Sequence, residues 1–162
     1  MWTLQGLWAF LTTFPVLLTL SWSGGNAGNG VQKFPAALDF IGLTFWTCGI
    51  IFEVIADYQK QLFKKCTQNK GKFIKSGLWA ISRHPNYFGE ITLWIGVFLV
   101  ACNEFTTMYH YISILSPIFV AFLLTKVSGI PLLESAADKK WGDDPEYNEY
   151  KRRTSILIPW VY

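Results

Sequence analysis

The chain has 162 residues, of which 51% are hydrophobic and 15% charged, with a formal net charge of +3. It has no glycine-rich dinucleotide fingerprint after a strand, no Walker A loop, no H-E-x-x-H motif and no alternating strand–helix pattern, which excludes a soluble Rossmann cofactor site. Two histidines and three cysteines without metal-ligand spacing predict neither a metal site nor a disulfide framework.

Four apolar segments, taken in chain order, predict membrane-spanning helices. A bilayer core requires about 20 mostly apolar residues per helix, with a range of roughly 17 to 25. The third segment reaches that range when Asn86 and Tyr87 are included. Aromatic residues near the segment ends are typical of the membrane interface. The sequence predicts an all-α fold, a polytopic transmembrane helix bundle of about four spans with short cytosolic helices, rather than a soluble helical protein; the segments are 1–20, 36–56, 88–102 and 109–125.

The connection between the second and third segments is strongly basic. Residues 57–87 contain seven Lys or Arg and one Asp, whereas the first and third connections carry one charged residue each, Lys33 and Glu104. The positive-inside rule places residues 57–87 and both termini in the cytosol, and the "SGGNAGNG" linker on the opposite side. We expect the endoplasmic reticulum membrane if the source is eukaryotic and the inner membrane if it is bacterial. A lipid or nucleic-acid patch is the other interpretation of this loop; no nucleic-acid partner is predicted.

A dense polar cluster, "RHPNYFGE", precedes the third span. Pro85 suits the first position of a helix, where its missing N–H costs nothing. Asn86, Glu90 and Trp94 then follow at i, i+4 and i+8 on one helix face. Ionisable groups at membrane depth are costly and usually face a bundle interior or a cavity.

Two further polar stripes follow the same spacing near the cytosolic ends of other spans. One runs from the second span into the basic loop, and the other lies just beyond the fourth span, after Pro131. If the three stripes converge, they line a polar cavity that is open to the cytosol and suits a nucleotide cofactor, with acids on ribose hydroxyls and Lys or Arg on phosphates. Salt bridges between helices are an equally good interpretation of the same spacing. The residues of the two stripes are Glu53, Asp57, Lys60 and Lys64, and Glu134, Asp138 and Trp141.

Two motifs resemble a known family. "SGLWAISRHPNYFGEITLW", followed downstream by "GIPLLESAADKKWGDDPEYNEYKRRTSILIP", is similar to the C-terminal domain of the steroid 5α-reductase superfamily, in its uncharacterised branch. The resemblance runs from about Trp2 to Pro159. It implies a single membrane domain over residues 1–162 that binds NADPH from the cytosol and takes a hydrophobic lipid or steroid-like substrate from the bilayer.

The resemblance also implies roles for individual residues. The family's Asn-aromatic-x-Gly-Glu motif falls on Asn86–Glu90, which suggests Glu90 and Tyr87 as catalytic residues. Glu53 departs from the Asn of the family's upstream motif, which puts that contact in doubt. The expected cofactor-binding residues include two that precede the helix and two acids beyond the fourth span. They are Asp57, Lys64, Lys72, Lys75, Arg83, His84, Asn86, Trp94, Glu134, Asp138, Tyr150 and Arg152, with Arg153 adjacent.

The implied reaction is reduction of an activated C=C bond in an enone-like lipid, in which Glu90 acts as an acid or orients the substrate. Family members carry additional N-terminal spans that complete the substrate cavity, and this chain starts at about their fourth span. We therefore expect a fragment or short form, an inactive chain, or one that needs a partner chain or self-association.

Two other functions remain open from the sequence. "RHPNYFG" also resembles the R-H-P-x-Y-x-G motif of isoprenylcysteine carboxyl methyltransferases, which bind S-adenosylmethionine. Those enzymes usually have a paired Glu-Glu helix, whereas this chain has the single acids Glu134 and Asp138. The second possibility is a truncated bundle that serves as a non-catalytic membrane subunit.

Overall fold

The computed structural model describes residues 2–23, 36–103, 105 and 107–161. The glycines of the predicted linker, Lys33 and Glu104 lie outside these ranges. For Trp2 and Trp22, the structure describes the helical backbone and not the side chains. The described residues form helices joined by short turns, without a β-strand; Ser82 and Ser155 form an isolated bridge. This confirms the all-α prediction. The helices are α1 (Trp2–Ser23), α2 (Ala37–Lys65), α3 (Pro85–Cys102), α4 (Leu115–Phe122), α5 (Ile130–Trp141) and α6 (Pro145–Arg153), with 3₁₀ helices at Thr67–Asn69, Gly77–Ala80 and Met108–Ile114 and a π-helical turn at Leu123–Val127.

Three helical stretches in the described part of the chain are long and apolar enough to cross a membrane. They are α2, α3 and the run Met108–Trp141. The first predicted span is helical in α1, whose described apolar stretch is Ala9–Leu20. Within the residues that the structure describes, the second, third and fourth predicted spans meet the length and composition of a membrane helix. Large apolar side chains along α2 are exposed, as expected for a helix that faces lipid.

The chain forms two compact units. The first comprises Met1–Cys48 and Ile91–Leu123, and the second comprises Gly49–Glu90 and Leu124–Tyr162. Each unit contains one part of α2 and one part of α3. The single-domain assignment of residues 1–162 stays a prediction.

Close approach of α2 and α3 depends on glycines in both units. In the first unit, a methyl group added at Gly96 would lie 2.6 Å from the carbonyl oxygen of Gly42. In the second, a methyl group at Gly89 would lie 2.7 Å from the carbonyl oxygen of Gly49. Small residues allow two helix backbones to approach closely in a bilayer, where van der Waals packing drives helix association.

In the second unit, the C-terminal segment is hydrogen-bonded to the turn before α3. The Arg83 N–H donates to the Ser155 carbonyl at 2.8 Å, and the Ser82 hydroxyl donates to the Leu157 carbonyl at 2.7 Å. Trp79 is buried, and its indole N–H donates to the Ala56 carbonyl in α2 at 3.0 Å. These bonds fix the turn that leads into Pro85, where α3 begins as predicted.

Candidate functional site

A cavity of about 500 Å³ lies within the second unit. Its walls are the end of α2, the loop after it, the turn before α3, one face of α5, and α6. This volume falls within the roughly 300 to 1,000 Å³ that is usual for small-molecule sites. The lining residues are Lys60, Phe63, Lys64, Asn69, Lys70, Gly71, Lys72, Phe73, Ile74, Trp79, Arg83, His84, Leu133, Glu134, Ala136, Ala137, Lys140, Trp141, Tyr147 and Tyr150.

The charge of this lining is strongly positive. Six Lys or Arg residues line the cavity with one carboxylate, Glu134. Lys60 and Lys64 are one helical turn apart on α2, so both ammonium groups face the same side of the helix. Clustered cations in a partly enclosed cavity attract polyanions, because low-dielectric walls focus their field.

Glu134 is bound by two groups from the turn before α3. Its carboxylate forms an ion pair with Arg83, and its other oxygen lies 2.9 Å from the His84 Nε2 atom. The side chain of His84 is 6% exposed and that of Arg83 is 13% exposed. Arg83 Nε is buried without a hydrogen-bond partner among the described residues. The negative charge of Glu134 is thus compensated by the Arg83 guanidinium.

Aromatic rings form another part of the cavity wall. Phe73 lies 5.2 Å from the ring of Tyr147, 5.5 Å from that of Tyr150 and 5.9 Å from that of Trp141, measured between ring centroids. The Trp141 indole N–H donates to the Gly71 carbonyl at 2.7 Å, which ties α5 to the loop. Ring faces of this kind can stack on a planar base.

The two tyrosines of α6 act as fixed donors. Tyr150 donates its hydroxyl to the Trp79 carbonyl at 2.7 Å, and Tyr147 donates to Asp138 Oδ1 at 3.2 Å. Burial raises the pKa of both hydroxyls, and the carboxylates of Glu134 and Asp138 raise the pKa of Tyr147 further. Both hydroxyls therefore stay protonated at neutral pH.

The comparisons with known proteins agree with this membrane architecture. Residues 1–154 match the family model described as "Protein of unknown function (DUF1295)". The chain belongs to the DUF1295 family. That family lies in the steroid 5α-reductase-like superfamily, which confirms the resemblance in the sequence.

Two curated proteins are similar to parts of this DUF1295 chain. The "3-oxo-5-alpha-steroid 4-dehydrogenase 1" of Rattus norvegicus is 23% identical over 120 residues, 74% of this chain and 40% of the relative. The "Probable O-methyltransferase ustE" of Ustilaginoidea virens is 36% identical over 53 residues, 33% of this chain and 18% of the relative. The chain thus spans less than half the length of either relative. No solved structure matches it.

Half of the cofactor-binding residues predicted for this DUF1295 chain line the cavity. They come from four separate elements: α2, the basic loop and the turn after it, α5 and α6. The two interpretations of the polar stripes, a cavity and salt bridges, are both realised, since Glu134 lines the cavity and is also ion-paired. The predicted residues in the lining are Lys64, Lys72, Arg83, His84, Glu134 and Tyr150.

The residues predicted on α3 are not among the lining residues. The Asn86 amide donates to Asp57 Oδ1 at 3.1 Å, which links α3 to α2. The Tyr87 ring stacks on that of His84, with centroids 5.6 Å apart and planes at 12°. Glu90 follows one turn later on the same helix, and Trp94 belongs to the first unit. The Asn86–Glu90–Trp94 stripe therefore does not form a wall of the cavity, because only the turn before the helix reaches it.

Three other predicted residues are held at the surface by ion pairs. Lys75 pairs with Glu146, and Arg152, whose side chain is 76% exposed, pairs with Glu149. Asp138 is bound by Lys151 Nζ at 2.6 Å. All three lie outside the cavity lining. Spacing could not distinguish a cation that faces the cavity from one that is engaged by a surface carboxylate.

The sequence interpretation missed most of the aromatic wall. Phe73, Trp79 and Tyr147 were not assigned to the site, nor were Lys70 and Lys140. The signal was present, because "KGKFIKSGLW" alternates cations with aromatic residues. The sequence assigned Lys72 and Lys75 to the cofactor site but not Lys70, and the irregular loop gives no periodicity that would show which side chains face inward.

Proposed function

We propose that this chain is the cofactor-binding part of a membrane reductase that uses NADPH to reduce a C=C bond in a lipid or steroid-like enone. The observation that carries this proposal is the cation-lined cavity with an aromatic wall in the second unit. Similarity to a steroid dehydrogenase over most of the chain supports it.

The residues of the cavity fit a phosphorylated dinucleotide. Lys64, Lys70 and Lys72 are available for phosphate oxygens, since ammonium groups bind phosphate as point charges. Arg83 also lines the cavity and contributes a further positive charge. The rings of Phe73 and Trp141 offer faces for a planar base.

The residues on α3 would act on the substrate rather than on the cofactor phosphates. When bound, NADPH supplies a hydride, and the reduced carbon skeleton needs one proton in addition. Glu90 is the proposed proton donor or carbonyl-orienting group. Tyr87 is the proposed partner in that role, and its ring is held by His84, which Glu134 fixes in turn. The substrate would reach α3 from the bilayer, because apolar faces of the spanning helices are exposed.

A binding experiment separates this function from its alternatives. Purified full chain in detergent is titrated with NADPH and, separately, with S-adenosylmethionine, and the midpoint of thermal unfolding is followed. A ligand that binds only the folded state stabilises it in proportion to the logarithm of concentration over Kd. We expect NADPH to raise the midpoint and S-adenosylmethionine, which carries a sulfonium cation, to leave it unchanged.

Two loop lysines provide a matched pair for this titration. Lys72 lines the cavity, whereas Lys75 is ion-paired with Glu146. Lys72→Ala should weaken NADPH binding about tenfold, the loss of one charge-assisted contact, and Lys75→Ala should change it less than twofold. Equal effects of the two substitutions would show that the cavity is not the site.

Turnover requires a separate test. Consumption of NADPH is followed by its absorbance, with a 3-oxo-4-ene steroid in the micelles. If Glu90 donates the proton, Glu90→Gln lowers the rate about a hundredfold or more while NADPH binding is retained. Full turnover by the variant would remove Glu90 from the mechanism.

Methyl transfer is the second candidate, because the probable O-methyltransferase shares 36% identity over 53 residues. It predicts the opposite titration result, with stabilisation by S-adenosylmethionine and none by NADPH. A non-catalytic subunit predicts stabilisation by neither. The excess of cations in the lining favours the polyanionic cofactor.

A further inference from the structure

A second cavity, of about 380 Å³, lies within the first unit. It is lined by residues of α1, α2 and α3, and none of these residues belongs to the cofactor cavity. Apart from two polar side chains and the backbone of one glycine, its walls are apolar. The lining residues are Val16, Thr19, Asp39, Leu43, Trp46, Gly96, Val97, Val100 and Ala101.

The polarity of this cavity changes along its length. Asp39 lies in the first turn of α2, and Ala101 is next to the last residue of α3. Leu43 and Trp46 follow Asp39 at i+4 and i+7, so the same face of α2 continues as an apolar wall. The polar end is therefore at the helix ends and the apolar part extends into the spans.

Asp39 gives the polar end a specific chemistry. The side chain is 4% exposed and is the only ionisable group among the described residues of the lining. Its Oδ1 accepts from the Asn103 amide at 2.6 Å, and its Oδ2 accepts from the Ala36 N–H at 2.7 Å. A carboxylate offers about four acceptor sites, so two remain for a ligand that donates. An anionic phosphate head group is disfavoured there, since it brings like charge and only acceptors.

We propose that this cavity binds a hydroxyl-bearing lipid, with the hydroxyl donating to Asp39 and one hydrocarbon body lying along Leu43, Trp46 and Val97. The small volume favours a single chain or a fused ring system over a two-chain phospholipid. The proposal is independent of the NADPH-dependent function, because it concerns residues of the first unit alone.

Native mass spectrometry of the purified full chain, with three matched probes, tests the head-group chemistry. Oleyl alcohol should bind with a stoichiometry of one. Oleyl methyl ether has the same chain without a donor, and oleic acid has an anionic head; both should bind about tenfold more weakly. Equal binding of alcohol and ether would overturn the proposal, and so would tighter binding of the acid.

Two leucines of α2 test the location. Leu43 lines the cavity and is 44% exposed, and Leu38 is 37% exposed outside the lining. Leu43→Phe should lower the affinity for oleyl alcohol about tenfold by filling the cavity, whereas Leu38→Phe should leave it unchanged. Loss of binding in both variants, or in neither, would overturn the location.

The same assay distinguishes the two sources of such a ligand. Cholesterol represents a rigid, sterol-type alcohol, and monooleoylglycerol represents a single-chain lipid with free hydroxyls. Both are applied to the wild-type chain and to Leu43→Phe. Leu43-dependent binding of cholesterol assigns a sterol-type ligand, and Leu43-dependent binding of monooleoylglycerol alone assigns a single-chain lipid. If neither probe binds in a Leu43-dependent way, the assignment to a hydroxyl lipid is overturned.

Discussion

Glu134 is the residue on which the cofactor cavity most depends, because it binds both Arg83 and His84. Removing one partner of a buried ion pair costs about 3 to 5 kcal/mol. Partial exposure of the carboxylate lowers that cost, so we expect Glu134→Ala to reduce the free energy of unfolding by about 2 kcal/mol. The measurement is denaturant-induced unfolding in detergent micelles.

Asp138 provides the control for this substitution. It lies one turn further along α5 and pairs with Lys151, but its side chain is 48% exposed. Exposed pairs contribute about 0 to 1 kcal/mol, so Asp138→Ala should have a small effect. If both substitutions destabilise the chain equally, the buried cluster around Glu134 is not a distinct structural element.

At the scale of single residues, the sequence predicted which helix face a residue lies on better than it predicted which residue it binds. Lys64 and Glu134, which spacing assigned to polar stripes, both line the cavity. It could not predict that Asp57 binds Asn86, or that Glu134 binds Arg83, because these pairs are 29 and 51 positions apart in the chain. Helical periodicity relates only residues within a few turns of each other.

At the scale of elements, the packing of α2 against α3 requires a residue without a side chain at Gly89, and this requirement can be tested. A methyl group at this position would lie 2.7 Å from the backbone nitrogen of Glu53 and from the carbonyl oxygen of Gly49. Both neighbours are backbone atoms and cannot rotate away. Gly89→Ala should therefore lower the free energy of unfolding by about 1 to 3 kcal/mol, the usual effect of overpacking.

Gly6 on α1 is the matched control. A methyl group there would have no other atom within 4 Å. Since alanine is the better helix former by about 0.5 to 1 kcal/mol, Gly6→Ala should be neutral or stabilising. Destabilisation by both substitutions in the same unfolding assay would contradict the close approach of α2 and α3.

The start of α6 is a second element that can be tested. Asp144 is its N-cap and accepts the Glu146 N–H at 2.8 Å. Asp144→Ala should cost about 1 kcal/mol of stability. It should also weaken NADPH binding, since α6 carries two tyrosines of the aromatic wall. Asp143→Ala, one residue earlier and outside the cap, should leave both the unfolding midpoint and the affinity unchanged.

The elements themselves were largely predictable, and the cavity walls between them were not. Apolar length predicted α2 and α3, and Pro85 predicted where α3 begins. The loop 69–74, which supplies six residues of the lining, has no period and no apolar face. Its conformation depends on contacts with α5 and α6, among them the bond from Trp141 to Gly71.

At the scale of the whole molecule, the orientation in the membrane is the property with the clearest consequence. α2 has 29 residues and is about 44 Å long at 1.5 Å per residue, so its basic end extends beyond a hydrocarbon core of about 30 Å. The loop that follows it would then lie on one side and the turn after α3 on the other. The excess of Lys and Arg predicts that the loop is cytosolic.

Cysteine labelling tests this orientation. Cys66 is exposed in the loop after α2, and Thr107 is exposed after α3. With the other cysteines changed to serine, a chain retaining Cys66 should react with an impermeant maleimide only in inside-out vesicles. A chain with Thr107→Cys in place of Cys66 should react only in right-side-out vesicles. The reverse pattern would place the cofactor cavity on the non-cytosolic side, away from NADPH, and would contradict the reductase proposal as well as the orientation.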